Sequence, residues 1–190
     1  MNQRSTPAYI LRLALTLLLI TSLVALALAG VNAITKDRIA AIRAEKLQEA
    51  MEEVLPGAQL VAAAFTDETG TVRSVYRSPS VSPVQGYVVE VAPAGFGGAI
   101  TMMVGIQDGK VSGIAVVSHT ETAGLGSVAG ENTAKGEAFR NQFAGLSGSL
   151  AVDKDGGVID SITGATITSR AVTVGINAAL ACEVGGFLYG

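Results

Sequence analysis

An uncharged run from Leu13 to Thr35 constrains this chain more than any other feature. At ~1.5 Å per residue, a helix over that run crosses a hydrocarbon core of ~30 Å. The alternative is a cleaved signal peptide, because residues 27–29 and 31–33 carry the small-residue pattern of a cleavage site. The run is longer than the ~7–15 residues of a signal core, which favours a retained single-pass anchor. Under either interpretation, we expect the remainder of the chain on the extracytoplasmic side of the cell membrane.

The helical pattern continues beyond the uncharged run. From Ile34 to Leu55, apolar residues recur at helical spacing and charged residues occupy the other face. The segment Leu55-Pro56-Gly57 predicts the end of that helix, since Pro and Gly both interrupt helices. We therefore predict a cytoplasmic tip and transmembrane anchor over residues 1–35, an amphipathic stalk over 36–57 and a folded domain over 58–190.

Beyond the stalk, apolar runs bounded by turn residues predict β-strands. Asp108-Gly109 is a favoured two-residue hairpin turn between two of them. Helical character is present at residues 131–144 and from Thr166 to about Gly185, with a short strand near 150–153. Neighbouring strands with segregated helices predict an α+β fold, in which a transmembrane helix precedes a mainly antiparallel sheet with flanking helices. The predicted strands are Gln59–Phe65, Thr71–Arg77, Gly86–Ala92, Gly98–Gln107 and Lys110–Ser118.

The composition argues against several functional classes. The net charge is −3, so we expect no nucleic-acid partner. With one His and one Cys, the chain has too few ligands for a zinc, haem or iron–sulfur site of its own, and we expect no metal. No Gly-x-Gly-x-x-Gly segment follows a strand at a helix start, so a Rossmann dinucleotide site is not supported.

Two polar segments stand out as candidate functional sites. The first, Asp160 to Ser169, is rich in hydroxyl side chains and lies where a turn leads into an apolar, helix-like run. The first amides of a helix lack intrahelical partners and favour anions, so this entrance is a candidate phosphate site. Its structural alternative is a plain helix cap, a common place for Ser and Thr. The second segment, Ser118 to Gly126, is a glycine-containing loop whose alternative is an ordinary connection.

Both segments resemble motifs of the FMN-binding domain family. Asp160-Ser161-Ile162-Thr163-Gly164-Ala165-Thr166 is similar to its flavinylation motif, in which the last Thr or Ser carries FMN through a phosphoester. His119-Thr120-Glu121-Thr122-Ala123-Gly124-Leu125-Gly126 resembles its His-x-Glu-Thr-Pro-Gly-Leu-Gly loop, with Ala123 in place of Pro. Gly95-Phe96-Gly97-Gly98 resembles its Gly-Tyr-Gly-Gly segment. The order of these motifs and the anchor in front of them resemble the G subunits of Rnf electron-transport complexes, which are homologous to the C subunits of sodium-pumping NADH:quinone reductases.

The resemblance implies a role for each matched residue. It implies that Thr166 is the covalent FMN attachment point, and that Asp160 belongs to the motif read by a separate flavin transferase. It implies that Thr122 and Leu125 bracket the isoalloxazine ring. His119 and Glu121 are then candidates for hydrogen bonding at the ring or for fixing the loop. The remaining candidate cofactor-binding residues in the two motifs are Ser161, Thr163, Gly164, Ala165, Gly124 and Gly126.

The function implied by the resemblance is electron relay. The chain would be a membrane-bound flavoprotein, with no catalytic residues of its own, in a ferredoxin:NAD oxidoreductase complex that drives ion translocation. Its expected partners are the other membrane and redox subunits of that complex and, during maturation, the flavin transferase. Two alternatives stay open on the sequence: a free-standing extracytoplasmic FMN carrier, and an anchored structural domain without redox function.

Overall fold

A computed structural model describes residues 6–67, 69–79 and 85–184. The chain divides into two compact units, Met1–Glu45 and Lys46–Gly190. The predicted cytoplasmic tip lies in part, and the predicted end of the last helix near Gly185 entirely, outside the described residues.

The first element is a single long helix, α1 (Thr6–Val54). It is the one helix in the described part of the chain that is long and apolar enough to cross a membrane. The helix ends where the sequence predicted, at Leu55-Pro56-Gly57, and the Gly57 amide donates a hydrogen bond to the Glu52 carboxylate at 3.0 Å. A long N-terminal apolar helix followed by an antiparallel sheet with further helices is thus the architecture that the sequence indicated.

The second unit contains a five-stranded antiparallel sheet, whose strands lie in the order β1 (Val61–Ala63), β3 (Val72–Arg77), β4 (Tyr87–Val91), β5 (Thr101–Gln107) and β6 (Lys110–Ser118). Asp108 and Gly109, with φ of 52° and 71°, form the turn between β5 and β6. Positive φ at both central positions is the geometry that matches the twist of paired strands. The α+β prediction is confirmed.

Three details differ from the sequence prediction. The run predicted as one strand, Gln59–Phe65, forms two pieces, because β2 (Phe65–Thr66) leaves the main sheet and pairs with β7 (Glu183–Val184). The last helix therefore ends at Ala181, and Cys182 adopts extended backbone that leads into β7. The short strand predicted at 150–153 is a single parallel bridge between Val152 and Ile159.

The sheet buries both of its faces. On one face, α2 (Ala134–Asn141) and α3 (Thr166–Ala181) cover a core that includes Phe139, Phe143 and Ile176. On the other face, the last turns of α1 contribute Ala50 and Val54 to a smaller cluster. Burial of apolar surface contributes roughly 25 cal/mol per Å², so these contacts hold α3 firmly against the sheet. The two polar segments described above emerge at the end of β6 and at the start of α3.

Candidate functional site

The flavinylation-like segment forms a tight turn into α3. Gly164 has φ of +78°, a left-handed conformation that favours glycine, and the Ala165 amide donates to the Ile162 carbonyl at 2.9 Å. Ala165 is the N-cap, and in the described part of the chain no side chain caps this terminus. The Ser169 hydroxyl instead braces the turn, accepting from the Ile162 amide at 3.0 Å and donating to the Ala165 carbonyl at 3.0 Å. Thr166, the first helical residue, is half-buried and is not used as the cap.

One carboxylate, that of Asp153, and the amide side chain of Gln142 form hydrogen bonds to the beginning of this segment. Both the amide and the hydroxyl of Ser161 donate to Asp153 Oδ1, at 3.1 and 2.6 Å. The Ser161 hydroxyl and Lys154 keep the pKa of Asp153 far below its usual range. The Asp160 amide donates to the Gln142 side chain at 2.7 Å. Asp160 and Ser161 therefore position the turn through their backbone and hydroxyl groups.

The second segment forms a compact loop after β6. The Thr122 carbonyl accepts from the amides of Leu125 and Ser127, both at 3.2 Å, and the Gly124 amide donates to the Ser127 hydroxyl at 2.8 Å. His119 Nδ1 accepts from the Glu121 amide at 3.3 Å. The opposite edge of the His119 ring is packed so closely on Gly130 that an added β-carbon there would lie 3.0 Å from His119 Cδ2.

The two segments meet at one open-sided cavity of about 370 Å³. That volume lies within the ~300–1,000 Å³ of small-molecule sites. Three partly exposed apolar side chains surround it: Phe96 (69% exposed), Ile167 (50%) and Leu125 (43%). None of the ten described lining residues is basic. They are Phe96, Glu121, Thr122, Leu125, Gly126, Gly164, Ala165, Thr166, Ile167 and Thr168.

Glu121 is the charged group in the cavity wall. Its side chain is buried, and Oε2 accepts a hydrogen bond from the hydroxyl of Thr168, which is also buried. Oε1 accepts from the Gly97 amide at 2.8 Å. Burial disfavours the ionised form, but the hydrogen bonds from Thr168, Gly97 and the Phe96 amide, aided by the coulombic effect of His119, hold the pKa of Glu121 below its ordinary value. The carboxylate is therefore ionised at neutral pH.

Comparison with known proteins matches two regions of the chain to family models. Residues 1–54 match the RnfG N-terminal region, and residues 95–181 match the FMN-binding domain. The chain is 32% identical to the G subunit of the ion-translocating oxidoreductase complex of Methanosarcina acetivorans, over 90% of this chain and 93% of that one. It is 32% identical to the G subunit of the Na(+)-translocating ferredoxin:NAD(+) oxidoreductase complex of Acetobacterium woodii, over 88% of each chain. It is 37% identical to a G subunit from Cereibacter sphaeroides, over 78% of this chain and 72% of that one.

The chain belongs to the family of G subunits of ion-translocating oxidoreductase complexes. The match to the FMN-binding domain begins at the Gly95 segment, spans both motifs and ends at the last residue of α3. The family that the sequence resembled is thereby confirmed.

The fold brings together most, but not all, of the candidate residues of this G-subunit family member. The described lining of the cavity does not include His119, Gly124, Asp160, Ser161 or Thr163. Those that do line it are Glu121, Thr122, Leu125, Gly126, Gly164, Ala165 and Thr166.

Three lining residues were not among the sequence candidates: Phe96, Ile167 and Thr168. Phe96 belongs to the glycine segment that resembles the family's Gly-Tyr-Gly-Gly, which was the available signal. Thr168 lies within the hydroxyl-rich segment, but its pairing with Glu121 joins residues 47 positions apart and is visible only in the fold.

The lining residues fit FMN, which joins a flat apolar ring through a ribityl chain to a phosphate. Phe96 and Leu125 would offer apolar surface to the ring, and the half-buried Thr166 lies at a helix start, where a phosphate is favoured. Gly164 lines the same cavity, and a β-carbon added there would lie 3.2 Å from Leu125 Cδ2. A larger residue at this position would therefore narrow the space between the turn and the loop.

Proposed function

We propose that this member of the G-subunit family carries FMN as a phosphoester on Thr166 and relays electrons within an Rnf-type complex. The observation that carries the proposal is the shared cavity: the start of α3, with Thr166, faces the loop that contains Glu121 and Leu125. A redox cofactor tethered at the helix start would therefore lie against the loop.

Different residues of the cavity would bind different parts of FMN. The uncapped start of α3 offers backbone amides and a positive dipole end to the phosphate, and the Thr166 hydroxyl supplies the ester oxygen. Leu125 and Thr122 would contact the ring from the loop. His119 would act through the loop, because its Nδ1 accepts from the Glu121 amide and its ring is packed on Gly130.

The flavin supplies the electron-transfer chemistry, and the protein supplies position and electrostatics. In ester formation, the Thr166 oxygen would bond to the phosphorus of an activated flavin nucleotide as the bond from that phosphorus to its leaving group breaks. The hydroxyl proton of Thr166 would go to the leaving group. The protein would therefore gain the mass of one FMN less one water. A separate flavin transferase would recognise the turn that begins at Asp160. Asp160 is exposed and is held through its backbone by Gln142, which leaves the carboxylate accessible to that enzyme.

The relatives support placing this protein in a membrane complex. One is named as part of a Na(+)-translocating ferredoxin:NAD(+) oxidoreductase complex, and another as part of an ion-translocating oxidoreductase complex. We propose the same setting here, with residues 1–35 as tip and anchor, 36–57 as stalk and 58–190 as the FMN-binding domain on the extracytoplasmic side. Co-purification of the full chain with other membrane subunits supports this setting. Recovery as a lone flavoprotein favours a free-standing carrier.

The test is retention of flavin through denaturation. The full chain is produced together with a flavin transferase, unfolded, washed and examined by absorbance and intact mass. We expect a yellow protein heavier by one FMN less water, and a colourless one for Thr166→Ala. Ser147→Ala is the control, because it removes an exposed hydroxyl that lies outside both motifs and outside the cavity lining, and it should stay yellow. A Thr166→Ala protein that remains yellow after denaturation contradicts the assignment.

A further inference from the structure

Three separate chain segments close around the Glu121 carboxylate. A β-carbon added at Gly95 would lie 2.5 Å from Oε1, and one added at Gly126 would lie 2.7 Å from Oε2. Thr168 on α3 completes the enclosure by its hydrogen bond to Oε2. Such contacts leave no room for the carboxylate to turn away, so its place in the cavity wall is fixed.

The Glu121 carboxylate accepts its hydrogen bonds from neutral groups, and His119 acts on it through a coulombic effect. The donors to Glu121 are a hydroxyl, from Thr168, and backbone amides, from Gly97 and Phe96. No described residue that lines the cavity is a lysine or arginine. Dipoles stabilise the carboxylate without cancelling its charge, and the field of a buried charge is screened much less than that of a surface charge.

We propose that the Glu121 carboxylate, held in place by Thr168, is a fixed negative charge that lowers the reduction potential of the flavin in this cavity. The inference rests on the proposed function, because it requires FMN at Thr166. Electrons added to a ring in the cavity are repelled by the carboxylate, so reduction becomes less favourable. Glu121 tunes the flavin electronically, and Thr168 is a positioning residue that partly offsets the charge through its hydroxyl dipole.

The two residues therefore have opposite effects on the potential. Replacing Glu121 by Gln removes the negative charge with little change of shape, so the potential rises. Replacing Thr168 by Val removes the dipole that partly offsets the charge of Glu121, so the reduction potential of the flavin falls. The comparison is made at about pH 8, where a carboxyl group with an ordinary pKa of about 4.3 is ionised. If the substitutions merely loosened the site and admitted more water, the reduction potentials of both variants would shift in the same direction.

The experiment is a spectroelectrochemical titration of the full-length flavoprotein in detergent at about pH 8, with FMN occupancy matched by intact mass. We expect a higher midpoint potential for Glu121→Gln, a lower one for Thr168→Val and wild-type behaviour for Thr168→Ser. The control is Glu131→Gln, which removes a carboxylate that accepts from Ser127 at 2.6 Å but does not line the cavity. It should leave the potential unchanged.

Equal potentials for wild type and Glu121→Gln overturn the inference, as does a shift of the same sign in Glu121→Gln and Thr168→Val. If Glu121→Gln fails to take up FMN, Thr168→Val still decides, because a raised or unchanged potential in that variant contradicts the proposal. A wild-type protein that loses its flavin on denaturation refutes covalent attachment instead. The two failures are therefore distinguishable.

Discussion

Removal of the Thr168 hydroxyl should destabilise the folded domain more than removal of a comparable hydroxyl elsewhere on α3. Thr168 is 1% exposed and donates to the buried, ionised carboxylate of Glu121. Thr173 is 3% exposed and donates to the neutral Ser169 carbonyl at 2.9 Å. Hydrogen bonds to charged groups contribute about 1.5–3 kcal/mol, and those between neutral groups about 0.5–1.5 kcal/mol. Thr168→Val should therefore cost about 1 kcal/mol more free energy of unfolding than Thr173→Val.

The assay is urea unfolding of the full chain in detergent, followed by the circular dichroism of the folded domain. Both substitutions are made in a Thr166→Ala background, so that bound flavin does not shift the apparent stability. With slopes of about 1–3 kcal/mol per molar urea, a loss of about 2 kcal/mol lowers the midpoint by roughly 1 M. Equal losses in Thr168→Val and Thr173→Val would refute the claim that the hydrogen bond is made to a charged, desolvated group.

The pH dependence has a definite sign. The pKa of Glu121 is lower in the folded than in the unfolded chain, so its contribution to stability is present above the unfolded value of about 4.3 and is lost as the pH falls through the lower folded value. The difference between Thr168→Val and wild type should thus stay constant from neutral pH to about pH 5 and shrink in stronger acid. A difference that grows on acidification would contradict the ionised state of Glu121.

Three other outcomes are expected. Leu125→Ala should keep its FMN but change the flavin fluorescence or the reduction potential. The control is Val158→Ala, an exposed apolar truncation outside the cavity lining, which should change neither. Equal fluorescence and potential in Leu125→Ala and wild type would place Leu125 away from the ring. Gly164→Ala and Gly156→Ala, with φ of +78° and +79°, should each lose about 1–2 kcal/mol of stability, but only Gly164→Ala should lower FMN loading, as intact mass reports. Amino-terminal sequencing of the mature chain should find the anchor retained. External protease should digest residues 36–190 in sealed right-side-out vesicles, and protection of these residues from the protease would contradict the proposed orientation.

Much of the fold could be predicted because its signals are local. The uncharged run, the Pro-Gly stop after α1 and the Asp108-Gly109 hairpin each depend on a few adjacent residues. The errors came from long-range pairing. Phe65 leaves the main sheet because β2 pairs with β7, more than a hundred residues away, and that same pairing ends α3 early. Neither effect is visible in local periodicity.

The candidate site divides in the same way. Thr166 and Leu125 were found through motifs, and both line the cavity. Thr168 was missed because a threonine within a helix usually has no special role, and only the fold brings it to Glu121. His119 was a candidate for contact with the ring, but its packing on Gly130 favours the other predicted role, that of fixing the loop.

The position of the flavin ester is the central claim, and peptide mapping tests it most directly. Trypsin, which cleaves after Lys154 and Arg170, releases residues 155–170 as one peptide that contains every hydroxyl side chain of the flavinylation-like segment. Fragmentation of that peptide from the full-length flavoprotein should place the mass of one FMN less water on Thr166. The same mass on another hydroxyl of the peptide, or an unmodified peptide from a protein that stays yellow after denaturation, would contradict the account. Those other hydroxyls belong to Ser161, Thr163, Thr168 and Ser169.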